Sequence, residues 1–306
     1  MARPVSEGRL HGFVVVDKPA SWTSHDVIAW MRRLLGERRI GHAGTLDPAA
    51  TGVLPIGVGY ATRLMEYLAE TDKSYLATIQ LGIETDSLDG DGRVTHVQDA
   101  QNVTRDRIEA ALGGWRGPHL QVPPMHAAIK VQGKRLYEHA RRGESFEREA
   151  RPVTFHALQL LEWTAPEATI FVRCSKGTYI RALARDLGHA LDTGAYLSGL
   201  VRCQTGPFCL HEAWTLRELD DMWREQGDWA WERVSEHPDS VLADWPAILL
   251  DHAAAGRWAT GMTISGGPDQ GAGCRAYGAN GEWLGIGRWD GGSGQWQPTK
   301  VMAARG

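Results

Sequence analysis

The sequence has only four cysteines among its 306 residues, and it lacks a long apolar run. The cysteines show no CxxC spacing and no accompanying histidine cluster, which argues against a zinc site and a disulfide framework. No apolar stretch approaches the roughly 20 residues that a membrane helix needs, and the first residues contain no apolar signal segment. We therefore expect a cytoplasmic protein that binds neither a membrane nor a metal.

The chain also lacks a phosphate-binding loop and an overall excess of positive charge. Residues 52–59 do not end in the Gly-Lys-Ser/Thr sequence that cradles phosphates, which argues against a nucleotide-binding enzyme. The formal net charge is −4, but it is unevenly distributed. Residues 130–151 carry seven Lys or Arg against four Glu, whereas residues 212–251 carry eleven acidic residues and three Arg. The first 200 residues could therefore present a basic face to a polyanion.

Residues 41–52 read Gly-His-Ala-Gly-Thr-Leu-Asp-Pro-Ala-Ala-Thr-Gly and hold one carboxylate on a glycine-rich turn. Glycine allows positive φ angles and close approach of another molecule, and Pro48 pushes Asp47 into an extended conformation. His42 lies five residues upstream, and no second carboxylate is nearby. This arrangement suits a single nucleophile better than a metal site. The alternative is an ordinary turn whose Asp bonds its own backbone.

Apolar periodicity predicts an α+β first domain. Strands are expected at 13–16, 75–82, 155–163 and 168–174 because these segments are rich in apolar and β-branched residues. A capping box of Thr23 and Asp26, with Gly36 as the stop, predicts a first helix. Further helices are expected at 105–112 and 179–191. Single helices between strands, without a steady βαβ rhythm, favour a largely antiparallel sheet.

The length of the chain and a change in composition predict a second, smaller domain. Residues 214–245 hold five tryptophans among many acidic residues, and the chain then becomes rich in glycine. Asn280-Gly281 is a strong hairpin signal between two apolar segments. We expect a catalytic domain over 1–240 and a small β-rich domain over 241–306.

The order of motifs in the chain resembles the TruB family, the tRNA pseudouridine-55 synthases. The loop 41–52, followed by Leu54-Pro55, is similar to the catalytic motif of that family. The match extends from about Gly12 to Leu216, and one position departs from it, since the family usually has Gly where Ser21 stands. The other matching blocks are Asp17–Pro19, Asp72–Tyr75, Leu81-Gly82, Thr85–Gly90, Pro123–Met125, Lys130–Tyr137, Cys174–Arg181 and Leu200–Arg202.

This resemblance implies a fold, an activity and a partner. The fold would be a pseudouridine synthase catalytic domain with a mainly antiparallel mixed sheet and a thumb-like insertion at about 118–151, followed by a PUA-like RNA-binding domain. The activity would be isomerisation of uridine 55 in the T-loop of tRNA, without a cofactor and without a guide RNA. The protein would bind the tRNA T-stem-loop as a monomer.

The resemblance also assigns roles to seven residues. Asp47 would be the catalytic residue, and Arg181 the cation that keeps it ionised. Tyr75 would pack on the flipped base, and His42 would take up space in the tRNA loop when that base leaves. Lys18 would be structural or would contact a phosphate. Tyr179 and Leu200 match the positions that line the base pocket.

Several of these roles have a plainer structural alternative, and the function has alternatives as well. Tyr75 could be a core residue of its strand, Arg181 a surface arginine, and His42 a turn histidine bonded to Asp47. The whole chain could be an RNA-binding module that folds tRNA, with Asp47 incidental. Guide-RNA-dependent relatives of the family are a further alternative, although the basic block at 130–151 favours the stand-alone bacterial type.

Overall fold

The computed structural model describes residues 10–125, 130–131, 134–135, 146–265 and 273–302. The described strands form one sheet of ten strands, one of five strands and two two-stranded sheets, β5-β6 and β8-β9, and helices pack against the two larger sheets. The strands, in chain order, are β1 (Gly12–Lys18), β2 (Ile40–His42), β3 (Thr51–Val58), β4 (Lys73–Leu81), β5 (Ile83–Thr85), β6 (Val94–Val97), β7 (Gly117–Gln121), β8 (Lys130–Val131), β9 (Lys134–Arg135), β10 (Arg151–Thr164), β11 (Glu167–Cys174), β12 (Ala195–Thr205), β13 (Phe208–Cys209), β14 (Ser235–Glu236), β15 (Ala247–Leu250), β16 (Ile264–Ser265), β17 (Gly273–Gly278), β18 (Trp283–Asp290) and β19 (Gln295–Val301).

The α-helices of the described residues lie between these strands. They are α1 (Ser24–Leu35), α2 (Met65–Ala69), α3 (Arg105–Gly114), α4 (Ile180–Ala190), α5 (Leu216–Gln226), α6 (Trp231–Val234) and α7 (His252–Ala259). Helix α1 begins and ends as predicted. Thr23 and Asp26 form the capping box, and Gly36 adopts a left-handed conformation with a φ of 63°.

The larger sheet has ten strands, eight of which run in the order β14-β1-β3-β12-β4-β11-β10-β7. Its neighbours are antiparallel except for β12 and β3, which are parallel. The predicted α+β class with a mainly antiparallel mixed sheet is confirmed. Strands β3 and β12 were not predicted, although β12 joins the two halves of the sheet.

Helices pack against both halves of the larger sheet. On one half, Leu183 and Leu187 of α4 pack with Ile79 and Ile170 of the sheet. On the other half, Ile28 of α1 belongs to a second apolar cluster with residues of β1, β3 and α5. Burial of such side chains contributes about 1.5–3 kcal/mol each. The joint between the two halves, at β3 and β12, is where polar side chains enter the interior.

The smaller sheet has the order β15-β17-β18-β19-β16, and the predicted hairpin at Asn280-Gly281 joins β17 to β18. Trp258 and Trp296 are fully buried in its core. Strand β19 of this sheet contacts the segment between β3 and α2, where the Arg63 guanidinium donates to the Val301 carbonyl at 2.6 Å. The predicted β-rich C-terminal region is therefore present and packs against the rest of the chain.

The expected thumb-like insertion is described only at its base. Strand β7 pairs with β10, and residues 126–129, 132–133 and 136–145 lie outside the described residues. Arg148, one of the basic residues of the 130–151 block, donates to the Pro123 carbonyl at 3.1 Å. Burial and the neighbouring Arg185 lower the pKa of Arg148. This arginine therefore stabilises the structure at the base of the insertion.

The helices of the described chain are all too short or too polar to cross a bilayer.

Candidate active site

A cleft of about 1260 Å³ lies over the joint between the two halves of the larger sheet. Its walls come from the loop after β2, the loop between β5 and β6, and the start of β12. Of the residues singled out in the sequence, the cleft brings together His42, Asp47, Arg181 and Leu200. Lys18, Tyr75 and Tyr179 are not among the residues that line it.

Buried polar groups hold the backbone on both sides of Asp47. Before it, the Leu46 amide donates to Ser24 Oγ at 2.9 Å, and Ser24 Oγ donates to the Leu46 carbonyl at 3.2 Å. After it, the Pro48 carbonyl accepts from Lys18 Nζ at 3.1 Å and from the Ser21 amide at 2.9 Å. Ser21 has a φ of 66°, a conformation that glycine adopts more easily. The loop is therefore a rigid support for one carboxylate.

Lys18 has the geometry of a structural residue. Its side chain is fully buried, and Nζ also donates to the carbonyls of Pro19 at 2.9 Å and Trp22 at 2.6 Å. Burial lowers the pKa of Lys18 to about 8. A phosphate cannot reach an ammonium group enclosed in this way. Of the two roles expected for Lys18, the structural one fits its surroundings.

Arg181 stands at the start of α4 and joins two carboxylates. Its Nε lies 3.0 Å from Asp47 Oδ2, and its Nη1 lies 3.3 Å from Asp89 Oδ2. The arginine side chain is 8% exposed, whereas that of Asp47 is 45% exposed and faces the cleft. The expectation that no second carboxylate lies near Asp47 is therefore wrong, because Asp89 binds the same guanidinium. Asp89 is distant in sequence, and its only sequence signal was the matching block Thr85–Gly90.

The ionisation of Asp47 depends on opposing effects. Burial in the protein raises the pKa of Asp47, and the nearby charges of Asp89 and Asp91 raise it further. The guanidinium of Arg181 acts in the opposite direction and lowers this pKa. Asp47 is thus a carboxyl group whose charged form depends on Arg181.

Asp89 is fixed by its own loop. Ser87 Oγ donates to the Asp89 carboxylate, and the Asp91 amide donates to Asp89 Oδ1 at 3.2 Å. Thr85 Oγ1 donates to the Asp89 carbonyl at 2.8 Å. Leu88, just before it, has a φ of 65°, which is rare for a branched residue. The loop between β5 and β6 therefore presents Asp89 to Arg181 in one orientation.

Tyr75 lies on β4, where its side chain is 7% exposed, behind the surface of the cleft. Burial raises the pKa of Tyr75 to about 12, while Arg202, which bonds its side chain, acts against that rise. The charge of Asp47 also acts on this phenol. Tyr75 is therefore near enough to Asp47 to be affected by its charge, but it does not face the open cleft.

Tyr179 directly precedes helix α4 and is held by a side chain that the sequence did not single out. The Tyr179 amide donates to Gln121 Oε1 at 2.9 Å, and Gln121 Nε2 donates to the Tyr179 carbonyl at 3.1 Å. Burial raises the pKa of the Tyr179 phenol. Gln121 thus links the base of the insertion to the helix that carries Arg181.

His42 ends strand β2 at the wall of the cleft. Its Nδ1 is buried and has no hydrogen-bond partner among the described residues. The alternative of an Nδ1 bond to Asp47 is therefore not found. Burial and the charge of Arg202 lower the pKa of His42, so the imidazole is neutral near pH 7.

Comparisons with known proteins identify the relatives of this chain. The N-terminal domain model of the TruB family of pseudouridylate synthases matches residues 32–180, and the tRNA pseudouridylate synthase B C-terminal domain model matches residues 181–242. The tRNA pseudouridine synthase B of Symbiobacterium thermophilum is 48% identical over 262 residues, 84% of this chain and 85% of that protein. The protein of the same name from Azoarcus sp. (strain BH72) is 39% identical over 305 residues, 100% of this chain and 99% of that protein. The chain belongs to the TruB family.

Solved structures show how widely the fold of this TruB family member is shared. A chain in the structure of an H/ACA RNP bound to a substrate RNA containing 2′-deoxyuridine superposes with a TM-score of 0.73 at 23% identity, over 96% of this chain and 86% of that chain. A chain of a Cbf5-Nop10-Gar1 complex gives a TM-score of 0.70 at 26% identity, over 90% of this chain and 78% of that chain. These structural similarities support the fold described above for this chain.

Proposed function

We propose that this pseudouridine synthase converts the uridine at position 55 in the T-loop of tRNA into pseudouridine, with Asp47 as its catalytic carboxylate. The conversion breaks the C1′–N1 glycosidic bond, turns the base and joins C5 to C1′, after which the C5 proton leaves and N1 gains a proton. Atoms and electrons balance within the nucleotide, so the reaction consumes no co-reactant. The observation that supports Asp47 best is its ion pair with Arg181 at a cleft of a TruB family protein.

Asp47 has to be ionised to act on the sugar or the base. Burial opposes that charge, and Arg181 supports it at 3.0 Å. A carboxylate held in a partly dry cleft interacts with developing charge more strongly than one in water. Arg181 would therefore both orient Asp47 and keep it charged, without itself contacting the base.

The target uridine would have to leave the stack of the folded tRNA loop before it reaches Asp47. Unstacking costs a few kcal/mol, and contact with aromatic or apolar side chains returns about 1–3 kcal/mol per base. We assign that contact to Tyr75, Tyr179 and Leu200. Leu200 already lines the cleft, whereas Tyr75 is 7% exposed, so the incoming base would have to uncover it. The neutral His42 would occupy the space in the RNA loop that the base vacates.

The same proposal extends to the organisation of the chain. Residues 1–240 would form the catalytic domain and residues 241–306 a PUA-like RNA-binding domain, which is consistent with a second sheet that starts at Ala247. The protein would act as a cytoplasmic monomer on the tRNA T-stem-loop and without a guide RNA. Relatives named tRNA pseudouridine synthase B that match most of the chain support the stand-alone activity.

Incubation of the purified protein with an unmodified tRNA transcript, in the absence of any guide RNA, tests the proposal. We expect pseudouridine at position 55 alone, and we expect Asp47→Asn to abolish it while the dissociation constant for tRNA stays within a few-fold. Affinity for a folded RNA comes mainly from phosphate and shape contacts spread over a large surface. Asp221→Asn, which neutralises an exposed carboxylate on α5, is the control and should keep wild-type turnover. Turnover of Asp47→Asn above a tenth of wild type would remove Asp47 from its role.

A further inference from the structure

Arg202, on β12, lies beneath the loop that carries Asp47. The residue is almost completely buried, with 1% of its surface exposed. Nε donates to the Val53 carbonyl at 2.7 Å, and Nη2 donates to the Gly44 carbonyl at 2.9 Å. These two carbonyls flank the turn of residues 45–52. One planar guanidinium therefore holds both ends of the turn, a task for which its fork of donors is suited.

Two glycines allow the loop to lie directly on Arg202. Gly52 is paired with Arg202 in the parallel contact of β3 with β12, and a Cβ there would stand 2.3 Å from the Arg202 carbonyl oxygen. A Cβ on Gly44 would stand 3.2 Å from Arg202 Nη1. Both glycines have positive φ angles, of 97° and 79°. Gly52 is thus required by the backbone contact with Arg202 as well as by its positive φ angle, whereas Gly44 is required by its positive φ angle and leaves only a tight space beside Arg202.

The surroundings of Arg202 are costly for a charged group. In the described part of the chain, its hydrogen-bond partners are neutral: the two carbonyls and the phenol of Tyr75. Burial lowers the pKa of Arg202, but arginine starts so high that the guanidinium stays charged. A buried cation without a carboxylate is less favourable than an apolar side chain of similar volume. Its presence here therefore indicates a role other than packing.

We propose that Arg202 is a positioning residue that clamps the ends of the Asp47 loop and so sets the distance between Asp47 and Arg181. Arg202 does not line the cleft, so it acts through the loop and through Tyr75 and not on the substrate. This inference rests on the proposed catalytic role of Asp47. It adds a third buried polar support to Ser24 and Lys18, which hold the middle of the same loop.

Arg202→Met and Arg202→Lys test the clamp. A misplacement of about 1 Å in a reacting group can lower the rate about 100-fold, and we expect a loss of that order in Arg202→Met. The quantity to measure is the single-turnover rate at saturating enzyme, together with the dissociation constant for tRNA, which should stay within threefold. Arg202→Lys keeps the charge and can reach one carbonyl, so its single-turnover rate should lie between that of wild type and that of Arg202→Met. It also serves as the test variant should Arg202→Met not fold.

A second measurement separates the clamp from general destabilisation. Amide hydrogen exchange should accelerate over residues 43–54 in the Arg202 variants and remain unchanged in β10 and β11. The matched control is Arg116→Met, which removes an arginine that donates twice to the Leu158 carbonyl, at 3.2 and 2.8 Å, away from the cleft. That variant should keep its single-turnover rate.

Two results would overturn the inference. One is a folded Arg202→Met protein whose rate lies within threefold of wild type. The other is a rate loss with unchanged exchange over residues 43–54. Failure of the proposed function looks different, because Asp47→Asn would then remain active, while the exchange measurement would still show whether Arg202 holds the loop.

Discussion

The guanidinium Nε of Arg181 lies 3.0 Å from Oδ2 of Asp47, and Asp89 holds the same guanidinium from its other side at 3.3 Å. The arginine is therefore shared between a carboxylate that is open to the cleft and one that is 18% exposed. Sharing fixes the plane of the guanidinium, since two of its nitrogens are committed. Burial, together with the charge of Asp89, outweighs the effect of Arg181, so that Asp47 keeps a raised pKa.

Arg181→Met should slow the chemical step far more than it weakens tRNA binding. Asp47 would lose the cation that orients it and that favours its charged form. The single-turnover rate at saturating enzyme should fall by at least 100-fold, and the dissociation constant for tRNA should change by less than threefold. Arg181→Lys should recover only part of the rate, since an ammonium cannot hold both carboxylates in the same plane. An unchanged rate with weaker binding would make Arg181 a docking residue.

The pH dependence of the rate should shift in opposite directions when Asp89 and Arg181 are changed in turn. The proposed mechanism needs ionised Asp47, so the rate should fall as the pH drops through the pKa of that carboxyl. Asp89 raises this pKa, so Asp89→Asn should move the acid limb to lower pH, with a lower plateau because Arg181 loses one anchor. Arg181→Met should move the limb to higher pH. Single-turnover rates between pH 4 and 8 measure both, and a common shift in one direction would contradict the assignment.

The sequence predicted the elements whose signals are local. The capping box of Thr23 with Asp26, and the Asn280-Gly281 hairpin, act within a few residues and appear as predicted. The apolar spacing of helix α4 also appears, because one face of the helix is buried whatever lies beneath it. The sequence also singled out Asp47 through a local signal, because the glycines and the proline of its loop are neighbours in the chain.

The features that the sequence missed arise from contacts between distant residues. Strand β12 lies between β3 and β4 in the sheet but contains Ser198, Gly199 and Gln204, so it has no strand-like alternation of its own. Asp89 meets Arg181 across 92 positions, and Arg202 meets Gly44 across 158. No local pattern specifies such pairs, because the sheet that joins the segments is formed by the whole chain.

Asp239→Asn should destabilise the protein in a pH-dependent way. Burial alone would raise the pKa of Asp239, but hydrogen bonds from His237, Tyr277 and Arg275 lower it to about 2. A lowered pKa stabilises the fold above the ordinary Asp value of 3.8, and this stability is lost as the pH falls towards 2. The difference in unfolding free energy between wild type and Asp239→Asn should therefore be full at pH 6 and smaller at pH 3. Urea titrations at both values measure it, and a difference independent of pH would contradict the network.

The basic block of the insertion carries the last prediction, which comes from the sequence because most of the block lies outside the described residues. Arg148 is excluded, since it donates to the Pro123 carbonyl at the base of the insertion. Neutralising Lys134, Arg141 and Arg142 together should raise the dissociation constant for tRNA. Each lost phosphate contact should lower the slope of log affinity against log salt by about 0.7–0.9.

The rate at saturating enzyme should change little in this triple variant, because the three residues are distant in sequence from the Asp47 loop. The competing explanation is that Glu138 and Glu144 already pair with these cations on a solvated surface. Exposed pairs of that kind contribute little, and their loss would leave tRNA binding unaltered. Neutralising Arg217, Arg224 and Arg233 in the acidic segment provides the control for a change of three charges. Equal affinity and an equal salt slope in the triple variant and wild type would decide for surface pairing and against a tRNA contact at this block.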